Sequence, residues 1–535
     1  MKKAVIWVIL AAFVLSGLVA VVFSAEPLDP VIKVTPKAPV FTDAERHAEL
    51  AKRRAAVAAK MAPNSIMVMW AAEPRNYAGD VDFQFRQENN FYYLTALKQQ
   101  NAALVIVKDA SGVKEYLFLP KRNPQFETWN GRMYSNQDAT RLSGVKTIID
   151  AAEKGAFLTA LNKREKFTSK SGVAIGINTT ESLYLLLPNG ERDGIGNAEY
   201  GQESKFKTGV AKIEEAEAYK FVNARPIFDD LRLIKSPYEM KVLQHAIDIS
   251  IEAHMRAQAM AGRADWEYQV QAEVEYTFRR RNADYWGYSS IVGCGGNATT
   301  LHYVESQSPV VKGQLLLMDV AAEYDHYTAD ITRTFPVNGK FTKEQAEIYQ
   351  IVYDAQEAAA KAAKPGAMFA DVGKAAHDVI MDGLFKLGLI TAKDPRQVRF
   401  WYMHGLGHWI GMNVHDVGGY AKPLAPGMVF TNEPGIYIRE DALNYLPDTP
   451  ENKEFLAKVK PAFEKYKNIG VRIEDDLIVT ETGVEWLTKA LPRTISDIEA
   501  FMAKAPKELP YTSRSLKPAN DLIDSSNRSI SGAGN

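Results

Sequence analysis

Residues 315–336 read LLLMDVAAEYDHYTADITRTFP. Two runs of strand length flank a polar turn: 314–321 is mostly apolar, 328–337 is rich in Thr, Ile and Phe, and 323–327 lies between. A hairpin centred between Tyr324 and Asp325 sets Asp319 opposite Asp330, with both carboxylates on one face. Like charges facing each other destabilise a ladder unless something positive sits between them. A divalent cation meets that need, because carboxylates are hard oxygen ligands. A solvated hairpin with two surface aspartates fits the same letters, although the apolar run at 315–318 argues against a wet face.

The 535 residues exceed one ordinary core and suggest two domains plus appendages. With 46% hydrophobic and 24% charged residues, the composition is that of a soluble globular protein. A net charge of −1 and the lack of a basic block exclude an electrostatic footprint for nucleic acid. Cys294 is the single cysteine, which rules out an intramolecular disulfide and a cysteine zinc site. Lys2 and Lys3 precede an apolar run over 4–25, and Ser24 and Ala25 stand before Glu26 and Pro27. That pattern fits a cleaved signal peptide, and the run is also long enough for a retained membrane anchor. Both readings export the folded part, to a periplasmic or extracellular location.

Residues 26–41 are Pro-rich and predict an extended linker. An α/β domain follows over 42–225, with a helix from Thr42 to about residue 60 and strand-like runs at 65–71, 103–108 and 116–119. After a connection over 226–236, Ser236-Pro237-Tyr238-Glu239 is a strong helix start. That helix runs to about residue 261, and a second covers 266–281. Strands are expected at 288–292 and 300–304, then in the hairpin. Thr342 and Gln345 form another capping box; helices to about 363 and over 371–387 precede strands at 414–418, 428–431, 436–438 and 470–480. Helix, helix, strands, repeated, predicts two related halves around one sheet within 226–505. Residues 440–467 look like a polar surface excursion, and 506–535 like a disordered tail.

Four of the nine histidines cluster in three segments: His302 in TLHYV (300–304), and His404, His408 and His415 in MHGLGHWIGMNVHDVGG (403–419). Gly405, Gly407 and Gly411 disfavour a stable helix there and predict a turn that lets backbone approach a ligand. Each histidine alone fits a hydrogen-bonded core residue. Glu433 stands where a strand enters the Pro434-Gly435 turn. Glu474 lies inside an apolar strand, where a carboxylate needs a partner or a metal, and Arg472 is the cation at hand.

Together with DITRTFPVNGKFT (330–342), NEPGIYI (432–438) and VRIEDDLIVTETG (471–483), these segments resemble the pita-bread metallopeptidases, in particular the aminopeptidase P (Xaa-Pro aminopeptidase) family. FRQENNFYYLT (85–95) and TWNGR (128–132) are similar to that family's N-terminal domain. The resemblance spans roughly 42–505. It implies a creatinase-like α/β domain followed by a pita-bread domain with a curved, mostly antiparallel sheet. It also implies that Asp319, Asp330, His408, Glu433 and Glu474 hold two metal ions, and that His302, His404 and His415 contact substrate or the metal ligands. A homodimer or homotetramer, in which N-terminal domains shape neighbouring sites, is implied as well.

Four carboxylates and one imidazole form a hard set suited to two divalent ions, Mn²⁺ ahead of Zn²⁺ or Co²⁺. Two such ions acidify a bridging water, whose hydroxide would attack a peptide carbonyl. His302 or His415 would stabilise the oxyanion, and Glu433 would move the proton, with Arg472 completing the catalytic set. Tyr437 and Trp129 are candidates for reading a proline ring. The expected activity is release of an N-terminal residue from peptides with proline second. A prolidase, restricted to dipeptides, would share every ligand; a pita-bread module that binds peptides without catalysis would lack them.

Overall fold

The computed structural model of the protein describes residues 30–188, 200–211 and 219–510. The apolar lead at 4–25 and the tail from 511 lie outside the described residues. Among the described residues, no helix is long and apolar enough to cross a membrane.

The first unit is a six-stranded mixed sheet. Its order is Lys220–Asn223, Ser182–Leu185, Ser65–Trp70, Ala103–Asp109, Gly112–Leu119, Ile148–Asp150. The central strands are nearly unbroken apolar runs, as expected of strands covered on both faces. Ile66, Val68 and Val105 join Phe157 and Leu161 of helix Lys154–Lys163 in one cluster. The alternate residues Met67, Met69, Leu104 and Ile106 belong to the large core shared with the rest of the chain. Helix Asp43–Lys60 starts at Thr42 with the Glu45 capping box.

Two stretches read as connections are built parts. Residues 30–41 are not a free linker. The backbone N–H groups of Val31 and Ile32 donate to Glu508 at 2.7 and 3.0 Å. Thr35 donates through its N–H and hydroxyl to Glu252 Oε2, and Ile32 is buried. Glu508 ends the 3₁₀ turn Ala505–Glu508, so residues 506–508, grouped with the tail above, are ordered structure. The 226–236 connection is mostly a helix, Arg225–Leu233, which buries Phe228, Arg232 and Leu233.

The second unit begins with helix Pro237–Ala261, capped by Ser236 and Glu239, and helix Glu267–Arg280. Helices Lys343–Ala362 and Phe369–Leu387 repeat that pair. Every strand pairing after the first helix pair is antiparallel. A bridge between Thr332 and Glu474 links the strands of the two halves. Four expected strands differ, the first being 288–292, where the strand starts three residues later as Ile291–Cys294. Residues 300–304 and 414–418 form no strand, since both contain histidines turned into irregular loops. The run at 470–480 is two strands, Ile469–Arg472 and Asp475–Val479, broken at Ile473 and Glu474. Helix Pro450–Tyr466 fills the polar excursion and buries a stripe of Phe455, Val459, Phe463 and Tyr466. Its rings meet Phe400 and Trp401, so it braces the loop that leads to His404.

The hairpin register differs from expectation by one residue at the turn. Tyr324 pairs with Tyr327 and Glu323 with Thr328, so the loop is Asp325-His326 and Asp319 faces Thr332, not Asp330. Both loop residues have positive φ, 48° and 68°, the geometry that two-residue hairpin loops favour. Non-glycine residues adopt it at a cost. Here His326 is buried and stacked on Tyr92 at 3.8 Å, and the Tyr92 hydroxyl donates to Asp325. The N-terminal unit therefore holds the turn that sets this register.

Candidate metal centre and its surroundings

The shifted register leaves Asp330 on an irregular step before strand Thr332–Pro336, where its N–H donates to Asp476 Oδ2 at 3.2 Å. Asp319 ends strand Leu315–Asp319, Glu433 follows strand Val429–Asn432, and Glu474 occupies the break described above. His408 lies in a loop flush against Val429–Asn432. His408 N–H donates to Thr431 Oγ1 at 3.0 Å and Thr431 N–H to His408 O at 2.9 Å. Gly407 permits that approach, since a Cβ there would stand 2.0 Å from the Thr431 carbonyl oxygen.

All five expected ligands line one cavity of about 240 Å³, together with His302, His404, His415, Arg472 and Tyr288. Ligand atoms of Asp330, His408 and Glu474 lie within 4.8 Å of one another. His408 Nε2 is 3.2 Å from Asp330 Oδ2 and 3.4 Å from Glu433 Oε1. Its Nδ1 donates to the Trp409 carbonyl at 3.1 Å, which orients the ring with Nε2 toward the carboxylates. Burial alone would push His408 down, but Asp330 and then Glu433 bring it up to about 9. Burial holds Glu433 up at about 7 against the pull of His408. Burial, with Asp330, Glu433 and Asp319 nearby, keeps Glu474 well above the carboxylate range. Burial, with Asp330 beside it, also raises Asp319 in spite of Arg472.

These carboxylates crowd together with too little positive charge to answer them, and their donor set of oxygens and one imidazole nitrogen fits divalent metal ions.

Arg472 does not pair with Glu474. Its Nη2 contacts Asp319 Oδ2 at 2.5 Å, Nε donates to Thr332 Oγ1 at 3.1 Å, and Nη1 donates to Tyr437 Oη at 3.0 Å. The strand ends at Arg472, so the chain turns before Glu474 and the two side chains part. The Thr332 hydroxyl serves Glu474 instead, at 2.6 Å. Tyr437, fully buried, sits 2.8 Å from His404 Nε2, and His404 Nδ1 meets the Gly405 carbonyl at 2.8 Å. Burial and the Arg472 charge lower His404 to about 4. A neutral His404 with its proton on Nδ1 then accepts from Tyr437, which accepts from Arg472. His302 and His415 are exposed at the cavity's lip, and the His415 ring stands edge-on to His408 at 4.3 Å. Trp129 is 84% exposed on helix Pro124–Asn130 and does not line the cavity.

Sequence reading missed four contributors. Tyr288 donates to Asp319 Oδ1 at 2.5 Å; Thr332 and Asp476 act as described above. Asp416, beside His415, is gripped by Arg232 at 2.5 Å and Lys235 at 3.3 Å, all nearly inaccessible. Arg232 also donates to Asn90 at 2.8 Å, and Asn89 to Asn413 at 2.6 Å. The N-terminal unit thus clamps the loop that carries His415. Only the Glu-Asp-Asp run at 474–476 signalled any of these in sequence, since the others depend on contacts between distant segments.

Residues 241–481 match metallopeptidase family M24, and residues 50–168 match the aminopeptidase P N-terminal domain. Fold and site together define a metallopeptidase of the pita-bread class. The chain is 36% identical to the Xaa-Pro aminopeptidase of Haemophilus influenzae over 463 residues, 85% of this chain and 97% of that one. It is 34% identical to that of Escherichia coli, over 86% and 98% of the two chains. It belongs to the Xaa-Pro aminopeptidase, or aminopeptidase P, family. Escherichia coli aminopeptidase P with the inhibitor Pro-Leu has a TM-score of 0.72 at 34% identity, covering 86% of this chain and 99% of that one. Human Xaa-Pro dipeptidase is more distant at 28% identity, over 88% of this chain and 95% of its own.

Proposed function

We propose that the protein removes the N-terminal residue from peptides with proline second, as a metal-dependent hydrolase. The observation that carries this is the gathering of Asp319, Asp330, His408, Glu433 and Glu474 in one cavity, with the Arg472–Tyr437–His404 chain alongside. Those five residues would hold the divalent ions, with Mn²⁺ favoured by the oxygen-rich donor set. When bound, the ions supply an acidified water and polarise the scissile carbonyl.

The chain's own groups do the rest. Glu433, on the cavity wall 3.4 Å from His408 Nε2, is suited to accept a proton and return it to a leaving nitrogen. That return matters for proline, whose amide nitrogen carries no hydrogen and must be protonated as it departs. His302 and His415, at the lip, are suited to donate to the carbonyl oxygen as charge develops. Arg472 keeps Asp319 and Tyr437 in place; Tyr437 is fully buried behind His404 and does not line the cavity, so it acts through neutral His404, which offers an uncharged wall for a pyrrolidine ring. Trp129 does not line the cavity of its own chain, and its exposure leaves it free to meet a neighbour in a homodimer or homotetramer. The apolar lead supports export, to the periplasm or beyond, with or without retention as an anchor.

The test is cleavage of Ala-Pro, Ala-Pro-Ala and longer peptides before and after chelation and Mn²⁺ return. Cleavage of tripeptides, lost on chelation and in Glu433→Ala, is expected. Cleavage of dipeptides alone would mark a prolidase. No cleavage of any of them would overturn the proposal.

A further inference from the structure

Residues 300–308 belong to no helix or strand, yet they set His302 at the lip of the carboxylate cavity with Leu301 beside it on the wall. Behind this loop lies Glu267, the first residue of helix Glu267–Arg280, fully buried. Its Oε1 accepts from the Cys294 N–H at 2.6 Å and from Asn297 Nδ2 at 3.0 Å. Its Oε2 accepts from the Tyr303 hydroxyl and the Ser308 N–H, both at 2.9 Å. The Glu267 N–H in turn donates to the Ser308 carbonyl at 3.0 Å. A buried carboxylate is costly unless hydrogen bonds answer it, and here the donors come from both sides of His302 in the chain, Tyr303 being its immediate neighbour. Leu301 and Tyr303 pack on Ile291, Ala298, Leu317 and Tyr437. Gly470 lets the start of the loop lie flush on strand Ile469–Arg472, since a Cβ there would stand 2.1 Å from the Ala298 carbonyl oxygen.

Resting on the activity proposed above, the geometry points to Glu267 as a positioning residue: it staples the 294–308 loop from behind and so fixes where the His302 imidazole meets the carbonyl oxygen of the scissile bond. Glu267 does not line the cavity, so its effect reaches the substrate through His302. A group misplaced by about 1 Å can cost about 100-fold in rate, which makes the staple matter to the reaction as well as to folding. Glu267→Gln keeps the side-chain volume and tests it. A carboxylate only accepts, whereas an amide turns two N–H donors to one side of the site. The Tyr303 hydroxyl can rotate to accept, but the N–H groups of Cys294 and Ser308 cannot. Either orientation of the amide therefore leaves a backbone donor without its acceptor.

The experiment compares Glu267→Gln, His302→Ala and the double variant, all loaded with Mn²⁺. On Ala-Pro-Ala, kcat should fall about 10- to 100-fold in Glu267→Gln and about 100-fold in His302→Ala. The double variant should be within about threefold of His302→Ala, since a staple with nothing left to position adds no further loss. Mn²⁺ affinity by titration calorimetry should change by less than about threefold in Glu267→Gln. Additive losses in the double variant, an unchanged kcat in either single, or a fall in Mn²⁺ affinity large enough to explain the rate would overturn the role. Should Glu267→Gln not fold, Tyr303→Phe removes one donor and should lower kcat about three- to tenfold, again with no added loss beside His302→Ala; an unchanged kcat there counts equally against it. Hydrogen exchange read by mass spectrometry needs no substrate, and Glu267→Gln should quicken it over 295–308 by about tenfold or more. If the wild type cleaves nothing, the peptidase reading falls, whereas faster exchange confined to 295–308 keeps the staple and unchanged exchange removes it.

Discussion

Replacing Asp416 by Asn would strand two buried cations. The three side chains of the Arg232–Asp416–Lys235 cluster are each 1–2% exposed, so water cannot take over the lost charge. Lys235 can relieve part of the strain by losing its proton, because burial already lowers it. Arg232 cannot, since its guanidinium does not deprotonate in proteins. Breaking one buried pair from one side costs about 3–5 kcal/mol. At about 2 °C per kcal/mol for a unit this large, the melting temperature should fall by about 5–10 °C. Scanning calorimetry at pH 7 measures that fall, and kcat for an Xaa-Pro tripeptide measured well below the transition reports on His415, the next residue. The triple variant Arg232→Met, Lys235→Met, Asp416→Leu should recover most of the loss, because apolar side chains replace the whole desolvated ionic cluster. The pH dependence has a fixed sign. Burial raises Asp416, but Arg232 and Lys235 prevail and hold it below the carboxylate range. Its contribution is complete above the ordinary aspartate value and fades as pH falls through the lowered one. A melting shift under about 2 °C for Asp416→Asn, or a triple variant that loses the sum of the three singles, would refute the clamp.

Removing metal should reveal the opposite pH sign at the carboxylate cavity. His408 at about 9 and Glu433 at about 7 bind protons more tightly folded than unfolded, so their contribution is full below their ordinary values and lost as pH rises through those two. Chelated protein should melt lower at pH 8.5 than at pH 6, and added Mn²⁺ should raise melting more at pH 8.5, since metal displaces those protons; equal increments would count against the site. Tyr288→Phe deletes the hydroxyl that donates to Asp319 and should weaken metal binding by about 10- to 100-fold in titration calorimetry, with little change in melting of the chelated protein. Gly407→Ala drives a methyl group into the Thr431 carbonyl; loss of metal binding is expected, and full binding by a stable variant would show that the loop does not need its contact with the strand.

Some of this protein could be read from residues a few positions apart. Thr42, Ser236 and Thr342 announce helix starts because capping is a contact between residues three apart. The sheet strands near 65 and 103 show as apolar runs because both their faces are covered. The candidate ligand positions stand out because glycines, histidines and acids fall in short, unusual strings. Other features depend on partners far along the chain. The turn at Asp325-His326, and with it the pairing of Asp319 with Thr332, is held by Tyr92, more than 200 residues upstream. Arg472 takes Asp319 over its sequence neighbour Glu474 because a strand ends between them. The Pro-rich segment at 30–41 is a strap only because Glu252 and Glu508 are there to receive its N–H groups. Local backbone chemistry declares an element wherever it occurs, whereas a side chain's partner is decided by which distant surfaces are packed together, and that exists only once the chain has folded.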